Sequence, residues 1–421
     1  MNTIVSPGHT KALATLLLTL AIGIHTGLAQ ITRVTVEQAV QQGLQHNQNI
    51  QASRYDVQAA GNLKKAASEI SKLSVTGMIG QYNSYEKADN NITVSQSIPF
   101  PTVFGARSAL GNARLKSSEL KLAVTENDLT FQIKSVWYQL AYLHELNAWY
   151  TRQDSLLKKS AEVSALRQRT GEANLLEKVT AESRHLQVQT QLRQNEADIA
   201  IARKRLQILL NSPSDVDIEI NTLTARPLPA TDSAAVISNP QLQWYRQQIT
   251  VAEKEKALEK NLMAPDLTLG YFNQTLIGAP LNETTTGLAT KSDRFQGYII
   301  GISIPLWFKP QTSRIRAAEY TRLSSQSRYE QEQRNYSGEL TALTQEVTKL
   351  GSALAFYTNS ALPQAELILK QADLTFRGGD ISYVEYFQAL NTAAELRAGY
   401  LQTLNLYNQA IINLEYLLAQ R

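Results

Sequence analysis

The chain has 421 residues, of which 43% are hydrophobic and 19% charged, with a formal net charge of +4. It is too apolar for a disordered chain and too polar for a bundle of membrane helices. The small net charge, with no basic stripe interleaved with aromatics, gives no reason to expect a nucleic-acid partner. Cysteine is absent, which removes disulfides, thiolate metal sites, cysteine nucleophiles and an N-terminal lipid carried on cysteine.

In chain order, Lys11 precedes an apolar run over 12–24, followed by Gly27 and Ala29 at the small-residue positions of a cleavage site. Residues 1–29 therefore read as a secretory signal peptide. No later stretch approaches 18 apolar residues, so a membrane crossing by this chain requires a closed β-barrel. A helix is predicted over 35–71, started by Thr35 with Gln38 as a capping box. Two alternating segments follow, one with Leu73, Val75 and Ile79 and one with Ile92, Val94 and Ile98. A period of two means strands with one apolar face, here about 8 to 11 residues long, joined by an exposed loop over 83–91. Phe100, Pro101 and Phe104 close the pair, and a long helix runs over 105–168 without a strong stop. A turn at Arg169-Thr170-Gly171-Glu172 leads into a returning helix over 174–210.

The segment 211–232 is rich in Pro, Thr and Ser and reads as a linker, with Pro213, Pro227 and Pro229 excluding a helix. The same order then recurs. A helix over 239–263 has Asn239 as N-cap and Pro240 as its first residue. Leu267, Leu269 and Tyr271 alternate, then Tyr298, Ile300, Ile302 and Ile304, around a loop over 276–294. Trp307, Phe308 and Pro310 close this pair. A helix over 311–376, a turn at Arg377-Gly378-Gly379-Asp380, and a helix over 382–420 complete the chain.

The two passes form an internal repeat, over 30–210 and 233–421. Ser97-Ile98-Pro99-Phe100 matches Ser303-Ile304-Pro305-Leu306, and 205–210 matches 413–418. A looser pair is Asn47-Gln48-Asn49-Ile50 with Asn239-Pro240-Gln241-Leu242. The fold class expected is α+β, with long helical hairpins and four membrane-spanning strands per chain. Four strands cannot close a barrel, and open edges in lipid cost several kcal/mol for each unpaired backbone group. Several copies must pool their strands, and three copies give a 12-stranded barrel with the hairpins continuing as a tube.

From the proline corner onward the pattern resembles the TolC-type outer-membrane efflux channels, over essentially all of the mature chain. The phrases Phe100-Pro-Thr-Val-Phe104 and Arg169-Thr-Gly-Glu-Ala-Asn-Leu-Leu-Glu-Lys-Val-Thr-Ala-Glu182 are most similar to the heavy-metal, cation-efflux branch. Asn-Gln-Asn at 47–49 departs from the Asn-Pro often found there. The resemblance implies a homotrimer in outer-membrane lipid, with its helical part in the periplasm. It also implies a periplasmic adaptor (membrane fusion) protein and an inner-membrane resistance–nodulation–division (RND) transporter as partners. Gly171 and Gly379 would sit at the hairpin tips, where the family narrows to an aperture lined by acids. Glu385 matches such an acidic position, Asp380 could add charge, and Gln388 stands where relatives can carry another acid.

These tip residues have simpler readings too. Asn174 with Glu177, and Ser382 with Glu385, are capping boxes. Arg169 and Arg377 lie in last helical turns, where a cation complements the helix dipole. Gly171 and Gly379 suit left-handed C-caps. His144 and His185 have no ligand spacing and read as solvated or packed, so no metal site and no cofactor are expected. No phosphate loop or nucleophile turn is present, which argues against an enzyme. The competing reading is a soluble periplasmic coiled-coil scaffold or adaptor.

Overall fold

The computed structural model describes residues 32–81, 86–219, 222–230, 237–282 and 285–420, with the side chains of 282, 285 and 286 outside the description. The signal peptide read over 1–29 lies outside the described residues.

A short strand β1 (Thr32–Val34) precedes helices α1 (Val36–His46) and α2 (Gln48–Lys65). The single helix expected over 35–71 is thus two. Asn47 leaves helical geometry at ψ 131°, ends α1, and caps α2 by accepting from Asn49 N–H at 2.9 Å. After a 3₁₀ turn at Ala66–Ser68 come β2 (Ser74–Ile79) and β3 (Asn90–Ile98). With 6 residues, β2 is shorter than expected. The chain leaves it at Gly80, whose φ of 124° suits only glycine.

Helix α3 (Pro101–Thr170) runs 70 residues, about 105 Å at 1.5 Å per residue. Pro101 starts it where a missing N–H costs nothing. Gly171 ends it at φ 79°, with Glu172 N–H on the Arg167 carbonyl at 2.8 Å, a Schellman cap. Helix α4 (Leu175–Leu210) returns antiparallel against α3. The segment read as linker then contributes β4 (Val216–Ile218), paired parallel to β1. Its register was invisible in sequence because three residues carry no period.

The second pass gives α5 (Pro240–Asn261), β5 (Asp266–Gln274), a small hairpin β6 (Pro280–Asn282) and β7 (Thr285–Leu288), then β8 (Phe295–Ser303). The loop expected over 276–294 is therefore partly ordered. Asp89, fully buried, accepts from Thr275 Oγ1 at 2.9 Å and Ile277 N–H at 3.1 Å. Helix α6 (Phe308–Phe356) passes through a π turn at Tyr357–Ala361 into α7 (Leu362–Gly378). Pro363 causes this interruption, which the reading of an unbroken helix over 311–376 did not include. It has no N–H for the carbonyl four residues back, and the π turn shifts Leu362 N–H onto Tyr357 O, five back. Gly379 at φ 80° caps α7, and α8 (Tyr383–Leu417) returns.

Four of the strands form one sheet in the order β2-β3-β5-β8. The helices joined to them, α2, α3, α5 and α6, neighbour one another in that same order. Each strand thus continues into its own helix, and sheet and helical layer form one continuous wall. The main core lies midway along it. Ile133 and Leu140 of α3, Leu206 and Leu210 of α4, Ile50 of α2 and Leu404 of α8 pack there with the β1–β4 pair. A second cluster joins Leu242, Leu350, Ile411 and Leu414. The ends of the wall carry little buried apolar surface.

Candidate channel wall and hairpin tips

Register decides what the sheet can do. Val75, Val94, Tyr271 and Tyr298 form one cross-strand row. Gln96, Leu269 and Ile300 form the next, and Ile98, Leu267 and Ile302 another. Every apolar position read from the four alternating segments that lies within a strand therefore falls on one face. That face is open to solvent in the single chain, with Ile79 at 86%, Tyr298 at 85% and Ile300 at 80% exposure. The other face carries Thr76, Thr93, Ser95, Ser97 and Thr268, along with Met78, Phe272, Phe295 and Ile299. Gly297 belongs to it because the Phe272 ring lies where its Cβ would be, 2.7 Å away. Among the described residues, β2 and β8 have no strand on their outer edges.

The helical layer has matching edges. On α6, Glu319 pairs with Lys256 of α5 at 2.7 Å and with Arg322 at 3.1 Å, which fixes the inner side of the helix. The outward side carries Ser313, Ala317, Tyr320, Ser324 and Ser327, all exposed, with Arg316 and Arg328 exposed beside them. On α2, Tyr55 is 66% exposed. At the corner between sheet and helices, Leu306 and Trp307 are exposed, a position suited to a membrane–water boundary.

At the far end the two tips differ. Glu177 N–H donates to Asn174 Oδ1 at 2.8 Å, but the Glu177 carboxylate does not return to the cap. It accepts from Arg167 Nη1 at 2.8 Å across the turn. The reciprocal box expected there is therefore only half formed, because a charged partner outcompetes a neutral N–H. Arg167, not the singled-out Arg169, spans the first tip. Its sequence signal was only a ten-residue separation from Glu177. At the second tip the box is complete: Ser382 N–H donates to Glu385 Oε2 at 2.8 Å, and Glu385 N–H donates to Ser382 Oγ. The backbone hydrogen bond from Ser382, then its side chain, holds the Glu385 carboxyl below the usual range. Arg377 pairs with Asp373 on its own helix at 3.0 Å and does not cross the turn. Asp380 is exposed beside it.

An aromatic cluster behind the tips was missed in sequence. Tyr383 and Phe387 of α8 pack with Leu157 of α3 and Ala181 of α4, joining the two hairpins. Phe376 stacks on Tyr386 at 4.5 Å, and the Tyr383 hydroxyl bonds Ser160 Oγ. Four rings flanking the second glycine turn are the signal that marks it.

Midway along the wall, charges tie segments together. Glu415 of α8 meets Lys134 of α3 at 2.9 Å and Arg226 at 2.5 Å. His144 Nε2 lies 3.0 Å from Asp217 Oδ1 of β4, and Arg203 bonds the other oxygen. Burial pushes the Asp217 carboxyl up, but hydrogen bonds from His144, Arg203 and Ile218 N–H outweigh it and hold the pKa at about 2. His185 lies 3.1 Å from Asp154. Among the described residues, no three potential ligands converge as a metal site, and no helix is long and apolar enough to cross a membrane.

A continuous wall of strands running into long helical hairpins is the fold of the TolC-type outer-membrane channels, and this chain has it. The OprN outer-membrane channel superposes with a TM-score of 0.77 at 15% identity, over 92% of this chain and 90% of that one. CusC, known from crystal structures of its folding and transmembrane channel formation, gives 0.75 at 17% identity, over 92% and 93%. The Campylobacter jejuni CmeC outer membrane channel gives 0.75 at 12% identity, over 91% and 85%. No family model and no curated protein matches the sequence.

Proposed function

We propose that the chain is the outer-membrane subunit of a tripartite efflux pump and works as a homotrimer, a passive exit duct. The observation that carries this is the sheet: one face gathers the apolar residues of all four strands, many of them exposed, the other is rich in Thr and Ser, and both edges are open. In water that face is a liability, and in lipid the open edges are. Three copies joining β2 to β8 of the next would remove both. The exposed sides of α2 and α6, around Tyr55 and Tyr320, continue from those strand edges and would meet in the same assembly. The outer membrane is the site this assigns, with the hairpins in the periplasm.

An RND transporter and a periplasmic adaptor are the partners that such a duct needs, since this chain offers no energy-coupling motif. The two quoted phrases and the carboxylates Asp380 and Glu385 support heavy-metal cations as cargo. A soluble scaffold would have no use for the apolar sheet face.

The test is the full chain purified in detergent. A trimer by native mass spectrometry that conducts ions in a planar bilayer is expected. A monomer without conductance overturns the reading.

A further inference from the structure

We infer that the cleft between α2, α3 and α5 is a binding site for a single-chain amphiphile with one anionic head. The cleft encloses about 710 Å³, within the range of sites for drug-sized ligands. Arg107, Arg114 and Lys121 line it from α3. Their spacing of seven places all three on one side of the helix. Lys64 lines it from α2, where the helices approach so closely that a Cβ at Gly111 would lie 3.1 Å from Lys64 Cα.

The cations are held from behind rather than neutralised. Arg107 donates to the Glu69 carbonyl at 3.2 Å, and Lys121 lies 5.1 Å above the Trp244 ring. Only Arg114 is ion-paired, to Glu255 at 2.5 Å. Among the described residues Lys64 has no ion-pair partner, and Asp56 is the one acid in the lining. Four cations against Asp56 and Glu255 leave an excess of positive charge, complementary to an anionic head near Lys64.

The rest of the lining mixes Ser53, Ser117, Ser118 and Gln248 with an apolar part. Leu63, Leu110, Val251 and Leu258 offer a surface that water covers poorly, and Leu63 is 73% exposed in the single chain. An acyl chain would cover it. From Arg107 to Lys121 the cleft runs about 21 Å, starting about 9 Å beyond the first residue of α3. It therefore lies in the helical part, away from the strands, and its volume suits one chain rather than a two-chained phospholipid. Its charge is opposite to that of the second tip, so the ligand class does not follow from the cargo proposed above.

The experiment uses the full-length protein in detergent with dansyl-labelled undecanoic acid and the dansyl-labelled undecylamine of equal length. The acid is expected to bind at least tenfold more tightly. Lys64→Glu should abolish that preference while still binding the amine, which reports an intact fold. Leu63→Gln, at an exposed position, should weaken both probes several-fold. Equal binding of acid and amine, or variants indistinguishable from wild type, overturns the assignment, as does competition by phosphatidylglycerol at the strength of the acid. Ion conductance recorded on the same sample separates failure of this site from failure of the duct reading.

Discussion

The Asn239 side chain caps α5 by accepting from Gln241 N–H at 2.8 Å and at the same time donates to the Leu417 carbonyl at 2.9 Å. In the first half Asn47 does the same, accepting from Asn49 N–H and donating to the Leu209 carbonyl, both at 2.9 Å. The asparagine amide carries an acceptor oxygen and a donor nitrogen on separate atoms of one short side chain, so it can do both at once. Each one ties the start of its helix to the end of the hairpin that closes its own half. The last turns match too: Asn211 and Ala419 both take left-handed backbone, at φ 50° and 51°.

Asn239 is fully buried, so its replacement cannot be rescued by water. Asn239→Ala should destabilise by about 2–4 kcal/mol, from a lost cap and an orphaned carbonyl. Asn239→Ser should keep the cap through its hydroxyl and lose only the donation, a smaller cost. Thermal unfolding of the three proteins in detergent checks the order, and equal melting temperatures would refute the double role.

The two faces of the sheet should respond oppositely to charge. Ile300→Lys places an ammonium on the apolar face and should cost about 2–4 kcal/mol per chain if that face meets the bilayer centre, seen as loss of membrane-inserted trimer. Thr93→Lys, on the polar face, should insert normally and lower cation conductance. Equal insertion of both variants would contradict the assignment of faces.

Tyr320 projects from the outward side of α6 and is 72% exposed in the single chain. Tyr320→Glu should shift the protein from trimer toward monomer at unchanged helix content. Sedimentation velocity with circular dichroism on the same sample reads both. A stable trimer would show that this side is free.

Glu385 is fixed by its hydrogen bonds to Ser382, and its lowered pKa keeps the carboxylate charged further into acid than an ordinary glutamate. Glu385→Gln can retain the cap through its amide oxygen. Single channels of this variant should show reduced cation-over-anion permeability with little change in melting temperature. In wild type the Glu385 contribution to selectivity should persist as pH falls to the ordinary glutamate range and vanish only below it. Unchanged selectivity in the variant leaves capping as the residue's whole role.

Asp217 ties β4 to α3 and α4 through His144 and Arg203. Its pKa is about 2 in the fold against an ordinary 3.8. A depressed carboxylate stabilises the folded state above the ordinary value and loses that contribution as pH falls through the folded one. Asp217→Asn should therefore melt lower than wild type at pH 5–7, by on the order of 1–2 kcal/mol. The gap should close between pH 4 and pH 2. A gap independent of pH would show that shape, not charge, is what Asp217 supplies.

Much of the wall was legible because its signals are periodic. Alternation of apolar residues located all four strands and the face they share, and the absence of breaks located the long helices. The glycine turns announced their own geometry, since φ near 80° is available to glycine at little cost. Single-residue effects were harder to read. Asn47 breaks the first helix by capping the second, and Pro363 is absorbed by a π turn rather than ending its helix. At the tips, sequence named Arg169, while the pair across the turn belongs to Arg167.

Period and composition alone determined the element types, the twofold repeat and the sidedness of the strands, because these depend on neighbours a few residues apart. Only the folded chain decided that β1 pairs with β4, that Glu415 collects Lys134 and Arg226, and that two hairpins meet at Tyr383. Those contacts join residues far apart in sequence, and local chemistry does not encode which distant group will satisfy a buried charge or cover an aromatic ring.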